Sequence, residues 1–282
     1  MVDLPGVGKD LVCSTSFSNS LMKQDHLLVP IMYKIPQRDS IYRLSNLFSL
    51  LKALLQFILF GSGILVLFTA DVLCVLHMSL LSPQPTKKFR GLPNLEIFWS
   101  GAYTSWQSPE WLKGSGAGSG SILVQATTPK SVGTVRLSPD GIDDINVDPL
   151  VDPGFLTSPL DWDLYRRGLV FALEVGKEMA KSGYPMEEIT VPKSLATDHL
   201  DRYIQEYGLP GQHVVASCRK KPFEEGGVVD QELRVYGVKG LRIADASVFP
   251  RIPSSKPHAL VLLVAERCAD FIRTDWAKEG LH

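Results

Sequence analysis

Residues 241–272, LRIADASVFPRIPSSKPHALVLLVAERCADFI, set a short β-branched run, a polar Pro/Ser turn and a long apolar run end to end. The pattern reads as a strand, a turn and a buried helix of at least three turns. Between turn and helix stand Lys256, Pro257 and His258. Proline suits the first turn of a helix, where its missing N–H costs nothing, so the junction is either a structural cap or part of an active site.

The chain has 282 residues, enough for one large domain or two smaller ones with a substantial core. Its formal net charge of -1 supplies no basic field for gathering phosphates, so nucleic-acid binding has no compositional support. Cys13, Cys74, Cys218 and Cys268 are far apart and form no C-x-x-C pair. That spacing argues against a metal site and a dense disulfide framework, and favours reduced, mostly buried thiols. The first residues, MVDLPGVGKDL, have no apolar core of a secretory signal, which points to a soluble, cytoplasmic chain. Residues 53–70, ALLQFILFGSGILVLFTA, form an uncharged run near the minimum length for a bilayer crossing, but Gly61, Ser62 and Gly63 interrupt it. A helix, a glycine turn and a second buried segment fit it as well as a membrane anchor does.

Outward from these landmarks, residues 45–80 read as helical and apolar, and GSGAGSGS at 114–121 as a flexible linker or hairpin crossing. SILVQAT at 121–127 and GTVRL at 133–137 have the composition of paired strands around a Pro-Lys-Ser turn. Residues 161–182 predict a helix burying Leu164, Leu169, Phe171, Ala172, Val175 and Met179, with Asp161 and Asp163 at its positive end. A second helix is expected over residues 196–207. Neither G-x-G-x-x-G, G-x-S-x-G nor H-E-x-x-H occurs. His213, in PGQHVVASCRKK, sits between a Pro-Gly turn and an apolar run, where the ring emerges as a strand begins. By itself such a histidine is either a structural hydrogen-bonding group or a proton acceptor.

Together these segments resemble the C-terminal part of the glucose-methanol-choline (GMC) oxidoreductases. DLPGVGKDL followed after an interruption by QDHLLVP is similar to the family's P-G-V-G-x-N-L-x-D-H segment, and PKSVGTVRLSP to its P-x-S-x-G-x-V-x-L hairpin. VVDQELRVYGVKGLRIADASVFPRIPSS is similar to V-D-x-x-L-R-V-x-G-V-x-G-L-R-V-x-D-A-S-x-x-P-x-x-P-S-G, and AERCADFI to the helix that follows. The matches are collinear. The resemblance implies an α+β fold: a substrate domain of antiparallel sheet flanked by helices, plus the C-terminal remnant of an FAD-binding domain. It implies a remnant of the FAD-domain and lid region over 1–40, a substrate-binding domain over 41–212 and a catalytic, FAD-contacting segment over 213–282. It also implies that a glycine-rich fingerprint precedes DLPGVG. Residues 12–23, VCSTSFSNSLMK, interrupt a motif that is continuous in the family and read as an insertion, such as an unspliced intron.

The activity implied is oxidation of a small-molecule alcohol by FAD, in an oxidase or dehydrogenase of the kind found in secondary-metabolite biosynthesis. HVVASC corresponds to the family's H-P-V-G-T-C, which makes His213 the candidate base, with Ala216 and Ser217 in place of Gly and Thr. The family's second catalytic position falls on Lys256, and His258 lies two places later. Asp245 and Ala246, with the backbone of Pro257, His258 and Ala259, are the implied cofactor contacts; no metal is implied. Two further readings stay open: an inactive remnant serving as a binding module, and a membrane-anchored protein.

Overall fold

The structure is a computed structural model, and it describes residues 21–44, 47–66, 72–81, 92–102, 117–139, 146–278 and 280. DLPGVGKDL and residues 12–20 lie outside them. Among the described residues the strands are β1 (Leu21–Lys23), β2 (Leu27–Pro36), β3 (Val72–Leu76), β4 (Leu95–Ser100), β5 (Ala117–Ala126), β6 (Gly133–Arg136), β7 (Leu150–Asp152), β8 (Glu187–Thr190) and the two-residue β9 (Leu209–Pro210), which pairs with β2. The α-helices are α1 (Leu47–Phe60), α2 (Pro159–Lys181), α3 (Thr197–Tyr207) and α4 (His258–Lys278). The fold is α+β, with antiparallel sheets and, among the described residues, four α-helices, as the resemblance implied. The described residues group into two compact units. One joins those up to His26 with Thr128–Pro159 and those from Pro210 onward; the other joins Leu27–Thr127 with Leu160–Leu209. The units interleave along the chain, where the sequence reading set three consecutive segments.

The second unit is built on a sheet in the order β3-β4-β5-β2-β8. β2 and β5 pair from Leu28↔Gln125 to Pro36↔Ala117. Val29, Ile31, Met32, Tyr33 and Ile35 of β2 are buried, the near-continuous apolar reading of an interior strand. Pro30 is tolerated in it because pairing with β8 covers only Met32–Lys34 and shifts register between Met32 and Tyr33. The glycine-serine run is not a linker in its described part. From Ala117 it is strand β5, and its glycines are there for space. A Cβ at Gly118 would lie 2.7 Å from the Ser40 Cβ, and one at Gly120 would overlap the Trp99 ring. Composition alone cannot separate a mobile Gly/Ser run from a strand that something packs against.

β5 and β6 are likewise not a hairpin. β5 pairs with β2 and β4, whereas β6 pairs with β1 and β7 in a separate three-stranded sheet. Leu21–Lys23, the end of the segment read as an insertion, supplies β1 of that sheet, in register Leu21↔Val135 to Lys23↔Gly133. Residues 45–80 are not all helical either: α1 ends at Phe60, and Val72–Leu76 pairs with β4. Gly61, at φ 58°, turns the chain out of the helix and donates its N–H to the Phe57 carbonyl at 2.8 Å. No helix among the described residues is long and apolar enough to cross a membrane.

α2 begins within two residues of its expected start, but its buried stripe differs. Leu164, Tyr165, Gly168, Leu169, Ala172, Leu173 and Gly176 are buried, while Phe171, Val175 and Met179 are only partly so. Glycine sets the face: a Cβ at Gly168 would lie 2.6 Å from Val124 Cγ1, so the helix backbone rides close on β5. The Tyr165 hydroxyl donates to the Leu27 carbonyl at 2.6 Å and accepts from the Ala126 N–H at 3.2 Å. Tyr165→Phe therefore strips a partner from two buried backbone groups, and urea unfolding is expected to show a loss of about 1–3 kcal/mol.

In the first unit the core is made mostly by loops: Val215, Ala216, Val228, Val229, Leu233, Val235, Val248, Phe249 and Ile252, with Cys268 from α4. Two expectations for residues 241–272 are corrected here. The strand is reduced to a single bridge, Arg234↔Arg242, flanked by N–H···O bonds from Val235 to Leu241 and from Ile243 to Leu233. The helix is not buried. Only Cys268 is, and Leu262 and Leu263 are 55% and 63% exposed. Hydropathy reports that a face can be buried, and in this unit only the stripe of Val261, Val264, Cys268, Phe271 and Ile272 meets the core. Toward its C-terminal end α4 is clamped by Asp275, which accepts from Arg234 and Arg242, both at 2.7 Å. Those bonds draw its carboxyl down to about 2, so the clamp stays charged throughout the neutral range. Cys74, Cys218 and Cys268 are free thiols, and only Cys268 is buried.

Candidate active site

Three segments distant in sequence are stitched together by backbone hydrogen bonds in the first unit. Gln24 and Val215 exchange N–H···O bonds of 3.2 and 3.0 Å, and the Gly211 N–H donates to the His26 carbonyl at 2.6 Å. The Gln24 side chain adds an acceptor for the Ile252 N–H at 2.8 Å. On the far side of Val215, the N–H groups of Ala216, Cys218 and Lys220 donate to the carbonyls of Ala246, Ser247 and Val248 at 3.3, 2.8 and 2.8 Å. QDH, HVVASC and DAS are thus held in one layer by backbone bonds, although they lie about 190 and about 30 residues apart. His213 does not open a regular strand; Val215 makes a single bridge to Gln24.

At the centre lies Asp25. Its Oδ1 accepts the N–H of His26 at 2.8 Å and of His213 at 2.7 Å, and the residue is buried. Burial pushes its carboxyl pKa up, and the two N–H groups and nearby positive charge pull the other way. One acidic oxygen therefore fixes the backbone beneath both histidines. The rings themselves meet edge to face at 83°, with Nδ1 to Nδ1 at 2.9 Å. His26 is wholly buried and His213 partly so. Burial holds the His213 pKa below the ordinary imidazole value, the Asp25 charge opposing it. A neutral ring at neutral pH is the form that can accept a proton. Sequence reasoning singled out His213 and passed over Asp25 and His26; the signal was the acidic-His pair in QDHLLVP.

The loop carrying His213 is strained. Gln212 and Ala216 lie in the left-handed region, at φ 58° and 75°. Ala216 stands where the resemblance expects glycine, and an L-residue there costs about 1–2 kcal/mol. Ala216→Gly is expected to raise stability by about 1 kcal/mol, measured as a shift in urea midpoint at unchanged m.

The other expected site residues lie on the layer's outer side or at the start of α4. Asp245 is exposed and caps the short 3₁₀ turn Ala246–Val248, accepting the Ser247 N–H at 2.7 Å. Lys256 and His258 are exposed, with Pro257 half-buried between them. Neighbouring atoms desolvate the Lys256 ammonium and lower its pKa, while the residue as a whole stays exposed. His258 and Ala259 open α4, and the first N–H of that end to close back on the chain is Val261, onto the Pro257 carbonyl at 3.0 Å. The helix start can offer its earlier N–H groups to an electron-rich ring edge. No cluster of metal-ligating side chains occurs among the described residues. A cleft of about 360 Å³ lined by Tyr33, Gly176, Lys181 and Glu188 belongs to the second unit and holds none of the expected site residues.

A family model described as GMC oxidoreductase matches residues 129–265, the span containing HVVASC, DAS and the start of α4. Over this span the chain is similar to the GMC oxidoreductases. It corresponds to their C-terminal part. Its GMC relatives include an oxygen-dependent choline dehydrogenase of Paraburkholderia xenovorans, 29% identical over 276 residues, which are 96% of this chain and 44% of the relative. Dehydrogenase mpl7 of Monascus purpureus is 34% identical over 158 residues, 55% of this chain and 24% of the relative. Among solved structures, an Aspergillus oryzae formate oxidase superposes with a TM-score of 0.75 at 20% identity, over 93% of this chain and 48% of that one. The chain spans less than half the length of these relatives.

Proposed function

We propose that this chain is the catalytic, C-terminal part of an FAD-dependent GMC oxidoreductase that oxidises a small-molecule alcohol, with His213 as the base. The observation that carries the reading is the Asp25-centred layer: it holds a neutral, partly exposed imidazole on a loop anchored by backbone bonds on both sides. FAD, when bound, would supply the two-electron acceptor for the alcohol's hydride. Asp245, Ala246 and the N–H groups of His258 and Ala259 would line one edge of it, and the start of α4 fits that task as a donor end. No G-x-G-x-x-G fingerprint able to take the pyrophosphate occurs in this sequence. The residues present therefore account for contact with the ring edge and not for the rest of the cofactor.

Within the site, His213 takes the hydroxyl proton of the alcohol. Lys256 occupies the position where the resemblance expects a second catalytic His or Asn, and its ammonium could hold a developing alkoxide by charge. We propose a secondary-metabolite alcohol as the substrate. Titration of the purified chain with FAD, followed by the shift of the flavin absorbance bands and by turnover of a primary alcohol with an artificial electron acceptor, tests the proposal. A chain that leaves added FAD spectrally unchanged would overturn autonomous catalysis. It would favour the second reading, a binding module without activity, for which Lys256 in place of His or Asn is the specific support.

A further inference from the structure

The two facing nitrogens of His26 and His213 cannot both carry a proton, nor both be bare, and still be bonded at 2.9 Å. Neutral imidazoles so paired must be opposite tautomers, which leaves two arrangements. In one, His213 Nδ1–H donates to His26 Nδ1, and His213 Nε2 is bare. In the other, His26 Nδ1–H donates to His213 Nδ1, and the His213 proton sits on Nε2, where no further proton can enter. Only the first arrangement is compatible with His213 becoming charged. A proton arriving at Nε2 leaves Nδ1–H pointing at a neutral acceptor, and the bond becomes charge-assisted. In the second, charging His213 would put two protons between nitrogens already in contact.

The backbone keeps the two rings within reach of each other. The His26 N–H is bound by Asp25, its carbonyl is bound by the Gly211 N–H, and the His213 N–H is bound by the same Asp25 oxygen. His26 has no accessible surface, so water does not compete for its Nδ1. We infer that His26 is a positioning residue: its Nδ1 is the acceptor that fixes His213 as the Nδ1–H tautomer and so leaves Nε2 free to take a proton. The inference rests on the proposed role of His213 as base and adds the residue that makes the base competent. His26 touches neither substrate nor cofactor in this role.

The test is the tautomer itself, read in the full chain labelled with ¹⁵N-histidine by long-range ¹H–¹⁵N correlation near pH 8, with no flavin and no alcohol present. The six histidines are resolved by assigning His213 from the peaks lost in His213→Gln. The expected result is a protonated-type Nδ1 and a bare-type Nε2 for His213. His26→Leu removes the acceptor and is expected to move His213 to the Nε2–H form or to a mixture. His26→Asn keeps an acceptor oxygen near the same point and is expected to restore the wild-type pattern. A wild-type His213 in the Nε2–H form would overturn the inference, as would an unchanged His213 spectrum in His26→Leu. If His26→Leu loses its amide dispersion, the wild-type and His26→Asn spectra decide alone. The measurement also separates the two layers of argument. An Nδ1–H tautomer without alcohol turnover in the flavin-loaded protein counts against the alcohol chemistry only, and turnover with an Nε2–H tautomer counts against His26 only.

Discussion

Replacing His213 with Gln is expected to lower alcohol turnover of the FAD-loaded protein by about 10²–10⁴-fold, the usual span for removing a positioned general base. Glutamine keeps a hydrogen-bonding side chain of comparable reach but cannot take up a proton near neutral pH. The loss should fall on kcat, because the base acts on the reacting hydroxyl and contributes little to holding the substrate. The pH profile gives the sign. Burial lowers the folded-state pKa of His213 below its ordinary value, so the neutral ring is fully populated above that ordinary value, near 6.5. Turnover should hold there and fall as pH drops through the lowered folded pKa; the associated stability follows the same course, present at high pH and lost on acidification. Turnover of His213→Gln within a few-fold of wild type would remove His213 from the chemistry.

The second large effect is structural. Asp25→Ala leaves the N–H groups of His26 and His213 without their shared acceptor in a buried setting, and unfolding in urea should show a loss of about 3 kcal/mol, at 1–3 kcal/mol for each unsatisfied group. Asp25→Asn retains one acceptor oxygen and should lose much less. The comparison isolates the acceptor from the charge: equal losses in the two variants would mean that the carboxylate charge, and not its hydrogen bonds to the backbone, holds the layer. Burial raises the Asp25 pKa, so its charge is less favoured in the fold than in water, and the asparagine variant removes that cost as well.

Much of this molecule was legible in its sequence, for reasons that can be named residue by residue. α2 and α3 were found within two residues of their ends because turn residues bound them and their apolar positions repeat at helical spacing. The start of α4 was set by Pro257, which fits a first turn and little else. The family could be read from V-D-x-x-L-R-V and the D-A-S turn, since those residues serve local turns whose geometry is encoded locally: Asp230 Oδ1 accepts the N–H groups of Glu232 and Arg234, and Asp245 that of Ser247. The glycine run at 117–121 misled because glycine frees a chain and also admits a close neighbour, and composition does not say which. The helix at 258–278 misled because an apolar sequence states what a surface prefers and not what meets it.

The sequence by itself determined the α+β class, the resemblance to the GMC oxidoreductases, the two interior helices, and His213 as the group to examine. Only the tertiary structure decided that β5 and β6 belong to different sheets, that α4 buries a single stripe, and that His213 is answered by Asp25 and His26. The physical reason is separation. A hydrogen bond between nitrogens 187 residues apart leaves no periodicity and no local composition in the chain, because it is set by where the Gln24 and Val215 backbones meet. What the chain encodes locally are turns and faces; the tautomer of its candidate base is encoded in their meeting.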